Sequence, residues 1–411
     1  MIRPTHSPDI IRRYTITDNE LLIGGYPVTL LAERAGQTPF YAYDRSVITD
    51  RIKHLRSHLP EQIHIHYAIK ANPMPAVVQH LSSMVDGFDL ASGGEMRIAL
   101  DTMMSPDNIS FAGPGKSLSE ISSAIATGVT LNIESQNELV RIIEQGNRLN
   151  ISPKVALRIN PDFELKSSGM KMGGGPKPFG IDIEQAQDIL EQIFTSNIDF
   201  QGFHIFSGSQ NLSAESIMEA QTKTFELAQR LSGLTTGPIK KLNIGGGFGI
   251  PYFPGEATLD LTPIGENLSS LLKQNRDWIQ ESKVIVELGR YIVGEAGVYI
   301  CKIRDKKISR DQIFIITDGG LHQHLAASGN FGQVIRKNYP VIIATRVNSE
   351  RKEMATIAGP LCTPLDVLAD KMELSSAEIG DLVAVFQSGA YGYSASPRSF
   401  LSHPEPVELL V

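Results

Sequence analysis

From residue 64 to residue 289 the chain alternates eight short apolar runs with stretches of helical spacing, and this limits its fold more than any other feature. The runs are 64–70 (HIHYAIK), 87–92 (GFDLAS), 108–113 (NISFAG), 129–134 (VTLNIE), 154–160 (KVALRIN), 200–208 (FQGFHIFSG), 241–246 (KLNIGG) and 283–289 (KVIVELG). Between them, 76–85, 94–100, 118–128, 136–148, 183–194, 214–232 and 262–282 read as amphipathic helices. Strand–helix repetition of this kind builds a parallel sheet, and eight units predict an α/β fold of the (β/α)8 TIM-barrel type. An open doubly wound sheet competes, but no Gly-x-Gly-x-x-Gly follows the first run.

After about residue 290 the texture changes to strands separated by turns, with little helix, which predicts a mostly antiparallel β domain over 291–411. Residues 1–36, with the strand-like Leu21-Leu22-Ile23, are expected to join that domain, leaving 37–290 to the barrel. A net charge of −7 without a basic patch argues against nucleic acid as a partner. No apolar run is long enough for a membrane span, and MIRPTHSPDI lacks the apolar core of a signal peptide. Two cysteines, Cys301 and Cys362, are too few for a disulfide framework. The expectation is a cytoplasmic protein.

A barrel site must lie where the strands end. His64–Ala68 alternates as a strand and Asn72-Pro73 breaks it, placing Lys70 at such an end. A desolvated lysine there becomes a nucleophile toward carbonyls, although a lone lysine is more often a solvated cap. Other strands finish in Asp89–Glu95, Arg158-Ile159-Asn160, Ser207–Gln210, Gly245–Gly249 and Glu287–Arg290. The glycine run reads equally well as a tight turn or as backbone N–H groups that cradle a phosphate. A lysine, a phosphate cradle and a carboxylate on separate strands are what pyridoxal 5'-phosphate requires. No metal is expected.

Tyr67-Ala68-Ile69-Lys70-Ala71-Asn72, Gly87-Phe88-Asp89 with Ala91–Glu95, Gly245-Gly246-Gly247-Phe248-Gly249 and Gly389-Ala390-Tyr391-Gly392 together resemble the fold-type III pyridoxal-phosphate decarboxylases. This is the diaminopimelate, ornithine and arginine decarboxylase family. The sequence looks closest to the exosortase A system-associated members, and is also similar to those acting on carrier-protein-linked amino acids. The resemblance implies an alanine racemase-like barrel, an amino-acid decarboxylase (a carboxy-lyase) and a homodimer with shared sites. It further implies that Lys70 forms the internal aldimine and that Glu287 supports a quinonoid by keeping the ring nitrogen protonated. Related racemases place an arginine at the position of Glu287. Asp89, Ser92, Glu95, Arg158, Phe206, Ser209, Gly245, Gly246, Gly247, Arg290 and Tyr391 would line the cofactor, with Asp89 and Arg158 alternatively a structural ion pair. Arg290, Thr363, Asp366 and Tyr391 would meet the substrate, and Cys362 of the partner subunit would return the proton.

Two departures stand out. Phe206 occupies the place of the family's stacking histidine, and His204, two residues earlier, is read as pointing the other way and as structural. Thr363 stands where an acidic residue reads a distal ammonium, and Arg336–Tyr339 only loosely matches the segment that binds a distal carboxylate. The expected substrate is therefore not a standard diamino acid and includes the carrier-linked case. Alternatives are a decarboxylase of free diaminopimelate, ornithine or lysine, a racemase, and a non-catalytic regulator. Ser167–Gly180 is expected to be a flexible loop over the site; the alternatives are phosphate binding by its glycines and lysines, and attraction of an anionic pantetheine arm by Lys171 and Lys177.

Overall fold

The computed structural model describes residues 13–163, 170–171, 173–331, 333 and 336–411, in two compact units. The barrel unit comprises Arg51–Ile250 and Thr258–Tyr291. Its strands are Ile63–Ala68, Gly87–Leu90, Ile109–Phe111, Thr130–Ile133, Lys154–Asn160, Asp199–Ile205, Lys241–Gly246 and Lys283–Leu288. Each runs parallel to the next, and the eighth closes on the first through Val284↔Ile63 to Leu288↔Tyr67. A short added strand, Ile181–Asp182, lies beside the fifth.

The strands are buried on both faces, as helix-covered parallel strands must be: Gly87–Leu90 and Thr130–Ile133 are buried throughout. Several buried side chains on these strands are polar, among them His66, Asp89, Asn132, Arg158, His204, Asn243 and Glu287. Helices begin close behind the strand ends because serines cap them. Ser92, Ser117, Ser135 and Ser213 each accept the N–H three residues on.

The second unit comprises Met1–Asp50, Pro251–Ala257 and Ile292–Val411. Its long strand Gly297–Ser309 pairs antiparallel with Phe40–Tyr43, Leu382–Val385 and Gln312–Thr317. Val407–Leu410 runs parallel to Phe40–Tyr43, and Lys352–Ala358 lies parallel to Gln312–Thr317. Leu21, Ile23, Leu31, Phe40, Val298, Ile300, Leu382 and Phe386 form its core. The expected barrel start at 37 is thereby corrected. Phe40–Tyr43 is a central strand of the β unit, and Pro251–Ala257 also belongs there. A four-residue apolar run has the same pattern in either sheet, so its partner could not be read locally.

Candidate active site

The first barrel strand stops at Ala68, and Ile69–Ala71 forms a single 3-10 turn that carries Lys70 beyond the strand end. Tyr67, fully buried, donates its hydroxyl to the Asn72 carbonyl at 2.8 Å. Asn72 Oδ1 in turn accepts the Met74 N–H at 3.1 Å, ahead of the helix that opens at Pro75. These bonds pin the backbone on the far side of the lysine. Lys70 Nζ lies 3.6 Å from Glu287 Oε1 and 5.8 Å from the centre of the Phe206 ring. The Lys70 side chain is 45% exposed in this chain, so the expected desolvation is not seen; Glu287, at 6%, is the buried partner.

Burial alone would raise the Glu287 carboxyl, but the Lys70 charge, His204 and Arg158 outweigh it and hold the group well below the usual carboxylate range. Glu287 Oε2 is 3.2 Å from Nε2 of His204. The expectation that His204 faces away is therefore corrected. Residues two apart along a strand share a face, so His204 reaches the same interior as its neighbours in register, Arg158 and Asn243.

Gly245 and Gly247 both have left-handed backbones, with φ of 70° and 72°. A Cβ on Gly247 would lie 2.1 Å from the Gly208 carbonyl, so this turn admits no side chain. Gly246 is in register with Glu287. The Gly245 N–H donates to Asn243 Oδ1 at 2.9 Å, which shapes the turn but occupies one of the expected phosphate donors. Ser209 pairs with Met170 in a short antiparallel bridge, and half-buried Arg290 opens the helix Arg290–Val293.

Arg158 pairs with Glu134 at 2.8 Å rather than with Asp89. Glu134 also accepts the N–H of Gly113 and that of Gly180, the latter at 3.1 Å. Sequence reasoning missed Glu134, although it ends the fourth apolar run just as Lys70 ends the first. Asp89 instead approaches His66 Nδ1 at 3.4 Å and accepts the Ser110 hydroxyl. Ser92 is a helix cap, accepting the Glu95 N–H at 3.2 Å, while Glu95 accepts the Ala91 N–H at 2.7 Å. Burial pushes the Glu95 carboxyl up, partly offset by that N–H and by Lys70. The Ser92 hydroxyl thus accepts a helix N–H and keeps its own O–H to donate.

Most of the first half of the Ser167–Gly180 loop lies outside the described residues, as does the Lys171 side chain. The second half is fastened down. Asn160 accepts the Gly174 N–H at 3.1 Å and donates to the Gly175 carbonyl at 2.9 Å, and the Arg158 guanidinium lies 5.3 Å from the Phe179 ring centre.

Cys362, Thr363, Asp366 and Tyr391 belong to the β unit. Cys362 is exposed. Asp366, expected at the substrate, is buried and holds its own loop: Oδ1 accepts the Leu321 N–H at 2.6 Å and Oδ2 that of Leu361 at 2.8 Å. A Cβ on Gly320 or Gly359 would fall 2.2 or 2.3 Å from that carboxylate, so it has no room for a substrate. Half-buried Thr363 accepts the Leu365 N–H on its hydroxyl at 3.3 Å. Tyr391, with φ of 55°, is half-buried. Arg336 donates to the Val367 carbonyl, and burial lowers its guanidinium from the ordinary value.

An amine beside a buried ionised carboxylate, an aromatic ring within reach, and a turn that excludes side chains fit pyridoxal phosphate. The buried acid is Glu287, at the position where the resemblance gives the related racemases an arginine. The family model described as "Pyridoxal-dependent decarboxylase, pyridoxal binding domain" matches residues 45–294, and the chain belongs to this family of pyridoxal-phosphate-dependent decarboxylases. It is 38% identical over 389 residues to the L-glutamyl-acyl-carrier-protein decarboxylase of Niallia circulans, covering 93% of this chain and 90% of that one. It is 34% identical to the diaminopimelate decarboxylase of Aquifex aeolicus, covering 96% and 91%. The crystal structure of diaminopimelate decarboxylase from M. jannaschii in co-complex with L-lysine superposes with a TM-score of 0.85 at 27% identity, covering 97% and 92%. Among the described residues no helix is long and apolar enough to cross a membrane.

Proposed function

We propose that the enzyme decarboxylates an amino acid that presents no distal ammonium, with a glutamyl group carried on an acyl-carrier protein as the leading candidate. The observation that carries this reading is Thr363: a neutral hydroxyl directly after Cys362 gives a distal ammonium no counter-charge. A polar group left unpaired in a desolvated pocket costs about 1–3 kcal/mol, and more when charged. The similarity to the carrier-linked glutamyl decarboxylase supports the same substrate class.

Pyridoxal phosphate, when bound, supplies the electron sink that lets the substrate carboxylate leave as carbon dioxide. Lys70 would provide the amine that holds it, and Glu287 would keep a proton on its ring nitrogen. Phe206 offers a flat apolar surface that can stack but cannot move a proton. The glycine turn and Arg290 would hold the phosphate, with Ser209 next to Gly247 of that turn. Cys362 of the partner subunit returns the proton to the α-carbon, which makes a head-to-tail homodimer the working unit.

Carbon dioxide release by cofactor-loaded protein tests this, with carrier-linked glutamate and free L- and D-amino acids as substrates and Lys70→Ala as the blank. Release from the carrier-linked glutamyl group with little from free diaminopimelate is expected. A free diamino acid turned over as the best substrate would overturn the reading.

A further inference from the structure

Glu287 meets one basic group at each oxygen, Lys70 at Oε1 and His204 at Oε2. Lys70 is committed to holding the cofactor and cannot also serve as the lasting partner of Glu287. His204 has no such second duty. Its side chain is 3% exposed, and Nδ1 has no hydrogen-bond partner among the described residues. Nε2 approaches Glu287 Oε2 at 3.2 Å, and this contact helps to lower the Glu287 carboxyl.

A buried imidazole needs a polar partner to offset its desolvation, and the group within reach of Nε2 is the Glu287 carboxylate. Its use must therefore lie in what it does to Glu287. The neighbouring charged groups are accounted for elsewhere: Arg158 pairs with Glu134, and His66, in register with Glu287, approaches Asp89.

We propose that His204 is a positioning residue that keeps the Glu287 carboxylate ionised and aimed at the cofactor's ring nitrogen. The relation resembles that of the groups that orient metal ligands, whose removal costs about 10–100-fold in affinity or activity. The inference rests on the cofactor and is independent of which amino acid is the substrate.

The test is a double-mutant cycle on apoprotein titrated with pyridoxal phosphate, reading the dissociation constant and the position of the long-wavelength absorption band. His204→Phe should weaken cofactor binding about 10–100-fold and shift the band. His204→Gln, whose amide reaches the same position, should recover most of both. In a Glu287→Gln background, His204→Phe should add less than about twofold, because the residue it serves is gone. Equal losses in both backgrounds, an unchanged H204F protein, or H204Q falling as far as H204F would overturn the proposal. Should H204F not fold, His204→Ala titrated with free imidazole replaces it. Cofactor affinity then recovers with imidazole if the proposal holds and does not respond if it fails.

Discussion

At the end of the barrel where the strands begin, Lys154, Lys241 and Lys283 open the fifth, seventh and eighth strands and converge on the Asp107-Asn108 turn. At the opposite end, Lys70 meets Glu287, and Arg158 meets Glu134. Both ends are rich in charge, yet the surroundings differ. Asp107 is 67% exposed and Lys154 30%, so their pair is screened by water, whereas Glu287 and Glu134 are buried to 6% and 1%. Lysines at the strand starts tie a turn to the barrel floor. The same chemistry at the strand ends, taken out of water, becomes a site.

The sharpest break of this comparison is Lys70→Ala. Removing the group that acts on the cofactor should cut carbon dioxide release at least about 10³-fold, while thermal unfolding of the apoprotein shifts little. Next comes the buried pair behind Glu134. Lys116 Nζ lies 2.6 Å from Glu138 Oε1, with both side chains at most 2% exposed. Glu138→Ala would take the paired carboxylate from that lysine, leaving it the Gly113 and Asn132 carbonyls, and should destabilise the fold by about 3–5 kcal/mol in urea unfolding.

The floor responds more weakly and mainly to pH. Burial and the charge of Lys283 bring the Lys241 amine down to about 8. Its folded value lies below its unfolded one, so the unfolded chain binds more protons between about pH 8 and 10.5, and Lys241 makes stability rise with pH across that window. Lys241→Met should remove this rise in denaturant midpoints measured from pH 7.5 to 10.5; an identical pH slope in the variant would refute the assignment. Smallest of all, Asp107→Asn should cost no more than about 1 kcal/mol and leave decarboxylation unchanged.

Much of this was legible because the strand–helix period repeats eight times and because chemistry-bearing residues end the strands. Lys70 and Glu287 each end a strand in the sequence, and the family resemblance singles out both. What escaped depended on partners distant in sequence. Phe40–Tyr43 has an apolar pattern that suits either sheet, and only its pairing with Gly297–Ser309 assigns it. Arg158 finds Glu134 at the end of the neighbouring fourth strand, in the register that pairs Ile133 with Leu157, a contact set by strand pairing and not by local spacing. Asp366 sits beside Cys362 in sequence and invites a catalytic reading, but the glycines at 320 and 359 close around its carboxylate. His204 likewise meets Glu287 from another strand, a partner that local spacing does not name.

The most direct test of the claim that the buried carboxylate end carries the chemistry compares Glu287→Gln with Asp107→Asn. Both remove one charge, one at each end of the barrel. Carbon dioxide release would be followed with saturating pyridoxal phosphate, on the substrate that the wild type turns over best. A fall of about 10²–10³-fold for E287Q beside wild-type release for D107N is the predicted result. E287Q protein that releases carbon dioxide at the wild-type rate would contradict it.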